Sequence, residues 1–90
     1  MVSQELEFRG INQNHLRMYI EELGGKQIND ELPVFFEGDT WKIEILREGE
    51  LTFTSTFKIN TVHIRFSAPT DDELKTLIKQ YRFKTTRVGG

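Results

Sequence analysis

Two apolar stripes of helical period bracket a middle that alternates with period two, and this change of period constrains the fold more than any other feature of the chain. Leu16, Tyr19, Ile20 and Leu23 fall at i, i+3, i+4 and i+7, and Leu74, Leu77, Ile78 and Tyr81 repeat that spacing. Each set makes one apolar face on an α-helix. Asn12 or Asn14 caps the first helix, because a short side-chain oxygen accepts an orphan backbone N–H. Gly24-Gly25 ends it, since glycine takes a left-handed cap at little cost. Thr70-Asp71-Asp72-Glu73 reads as a capping box for the second helix, with Thr70 as N-cap and Glu73 reaching back to its amide.

Strand patterns fill the rest. Leu6 and Phe8 oppose Glu5, Glu7 and Arg9 in a first strand that ends at Gly10. After the first helix come the short run Val34-Phe35-Phe36, which follows Pro33, then Trp41, Ile43 and Ile45, then Leu51, Phe53, Phe57 and Ile59, then Val62, Ile64 and Phe66, the last three series alternating with polar residues. Turns are expected at Glu37-Gly38-Asp39, at Arg47-Glu48-Gly49-Glu50 and near Ile59-Asn60-Thr61; if the last fails, its two flanking strands join into one long bent strand. The order is β-α-β-β-β-β-α, with Phe83 to Val88 available as a further closing strand. The fold class is α+β, a two-layer α/β sandwich in which two helices cover one face of a mostly antiparallel sheet. Thr52, Thr54, Thr56, Lys58, His63 and Arg65 belong to the opposite, solvated face.

At 90 residues the chain is a single domain, residues 1–90, and most of its apolar side chains must share one core. Cysteine is absent, which excludes disulfides, thiolate nucleophiles and zinc–thiolate sites and suits a reducing cytoplasm. Met1-Val2-Ser3-Gln4-Glu5 lacks the basic and apolar regions of a signal peptide, and no apolar run is long enough to span a bilayer. The expected location is cytoplasmic. The net charge of −2 hides an asymmetry: residues 1–50 hold 11 acids against 5 bases, and residues 51–90 hold 3 acids against 7 bases. After Glu73 only Lys75, Lys79, Arg82, Lys84 and Arg87 are charged. Lys75 and Lys79 are explained by a helix C-terminus, while Arg82, Lys84 and Arg87 are open to an anionic partner.

Arg9-Gly10-Ile11-Asn12-Gln13-Asn14-His15 is the densest polar cluster. It runs from a strand through glycine into a helix N-terminus, a geometry that offers free N–H groups and a positive dipole end to an anion. The candidate ligand-binding residues are Arg9, Gly10, Asn12, Asn14, His15 and Arg17. Lys84 and Arg87 join them if a closing strand pairs beside the first strand. Ordinary helix capping explains the same asparagines. His15 and His63 sit on different elements without carboxylates at ligand spacing, so no metal site is expected, and no cofactor. The Asp71–Glu73 carboxylates suit a helix start, and no serine carries a nucleophile motif. No catalytic residue is assigned. The acidic first half argues against nucleic acid.

Two further patterns bear on function. The chain ends in Gly89-Gly90, the ending through which ubiquitin-like sulfur carriers are activated. Such carriers begin with a β-hairpin followed by a helix, however, whereas here a single strand precedes the first helix. The blocks Leu6-Glu7-Phe8-Arg9-Gly10-Ile11-Asn12-Gln13-Asn14-His15-Leu16-Arg17, Glu21-Glu22-Leu23-Gly24-Gly25 and Lys84-Thr85-Thr86-Arg87-Val88-Gly89-Gly90 resemble a small domain that follows the ubiquitin-like domain in proteins related to the small subunit of molybdopterin synthase. The resemblance covers almost the whole chain. It implies a two-layer α/β domain near molybdopterin cofactor biosynthesis or sulfur transfer, and it supplies no activity or catalytic residue. Three readings follow. One is an accessory or interaction domain binding an anionic small molecule or a partner protein; the others are a sulfur carrier acting through Gly90 and a small-ligand enzyme using His15. The first is favoured, which makes an enzyme the less expected class. Oligomeric state is not readable.

Overall fold

A computed structural model describes the backbone of residues 1–52 and 54–89 and the side chains through Thr85, Phe53 apart. In chain order the elements are β1 (Val2–Arg9), α1 (Gln13–Glu22), β2 (Lys26–Gln27), β3 (Val34–Glu37), β4 (Lys42–Thr52), β5 (Lys58–Ala68) and α2 (Asp71–Gly89). The strands form one sheet in the order β1-β5-β4-β3-β2, with every pairing antiparallel. The fold is therefore α+β, with the expected element order and without the optional closing strand.

Both apolar stripes go into one core. Leu16, Tyr19, Ile20, Leu74, Leu77, Ile78 and Tyr81 are buried against Val34, Phe36, Ile43, Ile45, Val62, Ile64 and Phe66 from one face of the sheet. Phe8, Phe66 and Tyr81 meet at its centre. The Tyr81 ring stands edge-on to Phe8 at 5.4 Å and to Phe66 at 5.3 Å between centroids, a geometry that aromatic quadrupoles favour. The Tyr81 hydroxyl donates to the Leu16 carbonyl at 2.9 Å and so ties α2 to α1. Burial, and secondarily the nearby Tyr19, push its phenol far above the ordinary tyrosine range.

Of the two asparagines offered as caps, Asn12 is the one used: its Oδ1 accepts from the Asn14 amide at 2.7 Å. Gly24, at φ +100°, ends α1 in a conformation that only glycine takes readily. Thr70 Oγ1 accepts from the Glu73 amide at 3.2 Å, half of the expected capping box.

The strand boundaries differ from the sequence expectation at several points. Arg47-Glu48-Gly49-Glu50 is not a turn. β4 runs through it, paired Arg47↔His63, Glu48↔Val62, Gly49↔Thr61 and Glu50↔Asn60, after a bulge between Ile45 and Arg47. The glycine serves close packing instead, since a Cβ on Gly49 would stand 3.2 Å from Oγ1 of the buried Thr61. Nor is there a break near Asn60: β5 continues from Lys58 to Ala68. The chain reverses between β4 and β5, where Thr54 Oγ1 accepts from the amides of Thr56 and Phe57 and closes the turn without glycine. The expectation for Phe53 lies outside the described residues. A two-residue strand, β2, also pairs with β3 and has no periodic signal of its own.

A further difference concerns the C-terminal segment. Phe83 to Val88 does not close the sheet, because α2 continues as helix through Gly89. Two contacts favour helix there. Lys84 Nζ reaches Glu22 Oε1 at 2.9 Å, and the buried Thr85 turns its hydroxyl back to the Arg82 carbonyl at 3.0 Å. β1 is left as an edge strand of the sheet.

Candidate functional site

The helix continuation decides which of the sequence candidates meet. Gly10 takes φ +75°, and its amide donates to the Asn60 carbonyl at 2.9 Å. Asn60 Nδ2 in turn donates to the Ile11 carbonyl at 2.5 Å. These bonds aim the start of α1 across the end of the β4–β5 ribbon. The result is an open cleft of about 660 Å³ in which Gly10, Asn12 and Asn14 face Glu48, Glu50 and Asn60. The helix N-terminus is present as expected, but two carboxylates line the same cleft.

The other candidates lie elsewhere. Arg9 Nε donates to Glu7 Oε1 at 2.7 Å on the opposite face of the sheet. Arg17 donates to the Gln13 side chain, and its Nε is buried with no hydrogen-bond partner among the described residues. His15 is exposed on α1. Lys84 meets Glu22 at the far end of α1 rather than its start. A basic pocket shared by Arg9, Lys84 and Arg87 needed the closing strand, so Arg9 and Lys84 are not brought together. Arg87 belongs to α2, and its side chain lies outside the described residues.

The open sheet face carries a charge ladder. Glu5 lies 3.5 Å from Arg47 and 3.6 Å from His63 Nδ1; His63 Nε2 lies 3.3 Å from Glu7, and Arg65 donates to Glu44 at 3.4 Å. Exposed pairs of this kind contribute little individually, and alternating charge on facing strands helps to set register. The Arg9 hydrogen bond holds the Glu7 carboxyl below its ordinary range. A depressed carboxylate stabilises the fold above its unfolded pKa, and that contribution is lost as pH falls through the folded value. We expect Arg9→Ala to move the Glu7 titration upward, as followed by side-chain carboxyl NMR. An unchanged midpoint would show that the bond is not what holds Glu7 down.

A second cleft was missed at the level of sequence. It lies where the end of α1 meets the second half of α2, holds about 740 Å³ and has a mainly apolar lining. Leu23 and Phe83 supply apolar surface, and Lys79, Arg82 and Lys84 also line it. Phe83 is 65% exposed. Its signal was available: Thr76, Lys79, Gln80 and Phe83 fall at i, i+3, i+4 and i+7, a second face of α2 that exists only if the helix passes Tyr81. A shallower hollow lies beside Trp41, Asp72 and Glu73.

Among the described residues no three His, Asp or Glu side chains are grouped to hold a metal ion, and no helix is long and apolar enough to cross a membrane. No curated protein matches the chain. The family model described as "Archaeal MoaD-like protein" matches residues 4–90. That span is all of the chain but its first three residues, so the chain belongs to the archaeal MoaD-like protein family.

Proposed function

We propose that this chain is an accessory, partner-binding domain working beside molybdopterin cofactor assembly or sulfur transfer, and that it engages an anionic ligand or partner through α2. This reading is preferred to the two alternatives, a sulfur carrier acting through Gly90 and a small-ligand enzyme using His15. Family membership supports the setting. The observation that carries the role is the course of α2. An activating enzyme threads a carrier's end as extended chain through a narrow channel, and α2 holds the backbone in helix through Gly89. The same helix gathers Lys79, Arg82 and Lys84 on one stretch, with Arg87 one turn on. Of the two anion sites legible in sequence, α2 is the better supported, because Glu48 and Glu50 line the cleft at the start of α1.

Two measurements test this. Incubation with a carrier-activating enzyme, ATP and a sulfur donor is expected to leave the protein's mass unchanged; an adenylate or thiocarboxylate mass gain overturns the reading. Amide NMR during titration with inorganic phosphate and a pterin phosphate is expected to shift residues 79–87 more than Gly10 to His15. Silence at both segments removes the anion from the proposal.

A further inference from the structure

We infer that the cleft between Leu23 and Phe83 is a docking groove for an acidic protein segment that carries an apolar anchor side chain. The inference rests on the partner-binding reading above and names the surface and the chemistry of the partner. Three observations carry it. The groove is lined mainly by apolar surface, yet Phe83 remains 65% exposed within it, so large apolar area faces solvent in an otherwise polar helix face. Its charged lining is basic. Lys79 and Arg82 have no ion-pair partner among the described residues, and Lys84 has Glu22, which leaves an excess of positive charge around an apolar floor. The chain as a whole is acidic, with a net charge of −2, so this patch runs against the protein's own balance.

Charge complementarity selects the occupant. A second copy presenting the same face would bring like charges together over the groove, which opposes a symmetric dimer there. A free phosphate would use the cations and leave the apolar floor bare. An acidic segment with a leucine or phenylalanine satisfies both: the apolar side chain covers Leu23 and Phe83, and flanking carboxylates meet Lys79 and Arg82. A carboxylate can also displace Glu22 from Lys84, exchanging an internal ion pair for one with the partner.

The probe is a blocked synthetic peptide, Asp-Glu-Leu-Asp-Glu-Phe-Asp-Glu, titrated into the full chain and followed by amide NMR and fluorescence anisotropy. Saturable shifts are expected at Leu23, Thr76, Lys79, Gln80 and Phe83. Affinity should fall about tenfold in each of two exposed-site variants, the charge-reversed Lys79→Glu/Arg82→Glu pair and the anchor variant Phe83→Ala. It should also fall as salt rises from about 50 to about 300 mM. Circular dichroism of both variants separates loss of binding from loss of fold. Equal binding by a peptide with lysine at every acidic position overturns the inference, as does equal binding by one with serine at both apolar positions. So does tighter binding of a single-stranded oligothymidylate to the same residues, or a salt-insensitive dimer in sedimentation. If phosphate shifts α2 while the acidic peptide does not, the groove inference falls and the accessory-domain reading stands. A thiocarboxylate mass gain removes that reading instead.

Discussion

Replacing Tyr81 by alanine is expected to cost about 3–5 kcal/mol, the range for deleting a large buried aromatic side chain. A domain of this size holds about 5–10 kcal/mol in total, so the variant loses a large share of its margin and should melt far below the parent. The argument is specific to this side chain. Tyr81 is fully buried, packs edge-on against both Phe8 and Phe66, and joins the two helices through its bond to Leu16. Tyr81→Phe separates these contributions, because it keeps the ring and loses the hydroxyl. It should cost about 1 kcal/mol, the net worth of one neutral hydrogen bond, and lower the melting temperature by about 4–8 °C. Alkali provides a second check. The phenol's folded pKa is raised by burial, so its contribution to stability is complete below the unfolded tyrosine value near 10 and is lost as pH rises beyond it. Tyr81→Phe should flatten that alkaline loss. Chemical denaturation at a series of pH values measures both effects. A Tyr81→Ala variant as stable as the parent would mean that the aromatic trio is not the centre of the core.

The contrast between the two ends of α2 shows what a sequence of this kind reveals. Leu74, Leu77, Ile78 and Tyr81 were legible as a buried stripe because helical period is local, and all are buried. Beyond Tyr81 the local signal reverses. Phe83, Thr85 and Thr86 favour strands on propensity alone, and the Lys84 contact to Glu22, distant in sequence, is one of the interactions that favour helix. The groove was hidden for the same reason. Glu48-Gly49-Glu50 has turn composition and reads as a reversal, whereas the true one depends on the hydroxyl of Thr54. Cross-strand pairing, which sets the register, is invisible in one strand read by itself. The candidate site suffered from adjacency: Arg9 and Gly10 are neighbours in the chain, but Arg9 turns to the outer sheet face while Gly10 opens the cleft at α1.

The second large effect is expected from Gly38→Ala, a change of one methyl at a position with no positive φ to protect. Gly38 closes the turn between β3 and β4, its amide donating to the Trp41 carbonyl at 2.8 Å. That turn folds the indole back over its own glycine. A Cβ built on Gly38 would overlap the Trp41 ring atoms Cε2, Cζ2 and Cδ2. The other end of the indole lies close to Gly25, where a Cβ would stand 3.0 Å from Trp41 Cη2 and 2.7 Å from Ile20 Cγ2. Trp41 is therefore seated between two glycines, one after α1 and one after β3, and the missing side chains are what make room for it. Gly38→Ala must expel the ring or shift the turn, and overpacking of this kind costs about 1–3 kcal/mol. The chain has one tryptophan, so its emission reports directly on the displacement. Gly38→Ala should red-shift the fluorescence and lower the melting temperature. Trp41→Ala should cost stability alone but remove most of the additional penalty of Gly38→Ala in the double variant, giving a coupling of about 1–2 kcal/mol. Additive effects in that cycle, or an unmoved emission maximum, would mean that the ring does not rest on Gly38. The glycine would then matter only for the backbone of the turn.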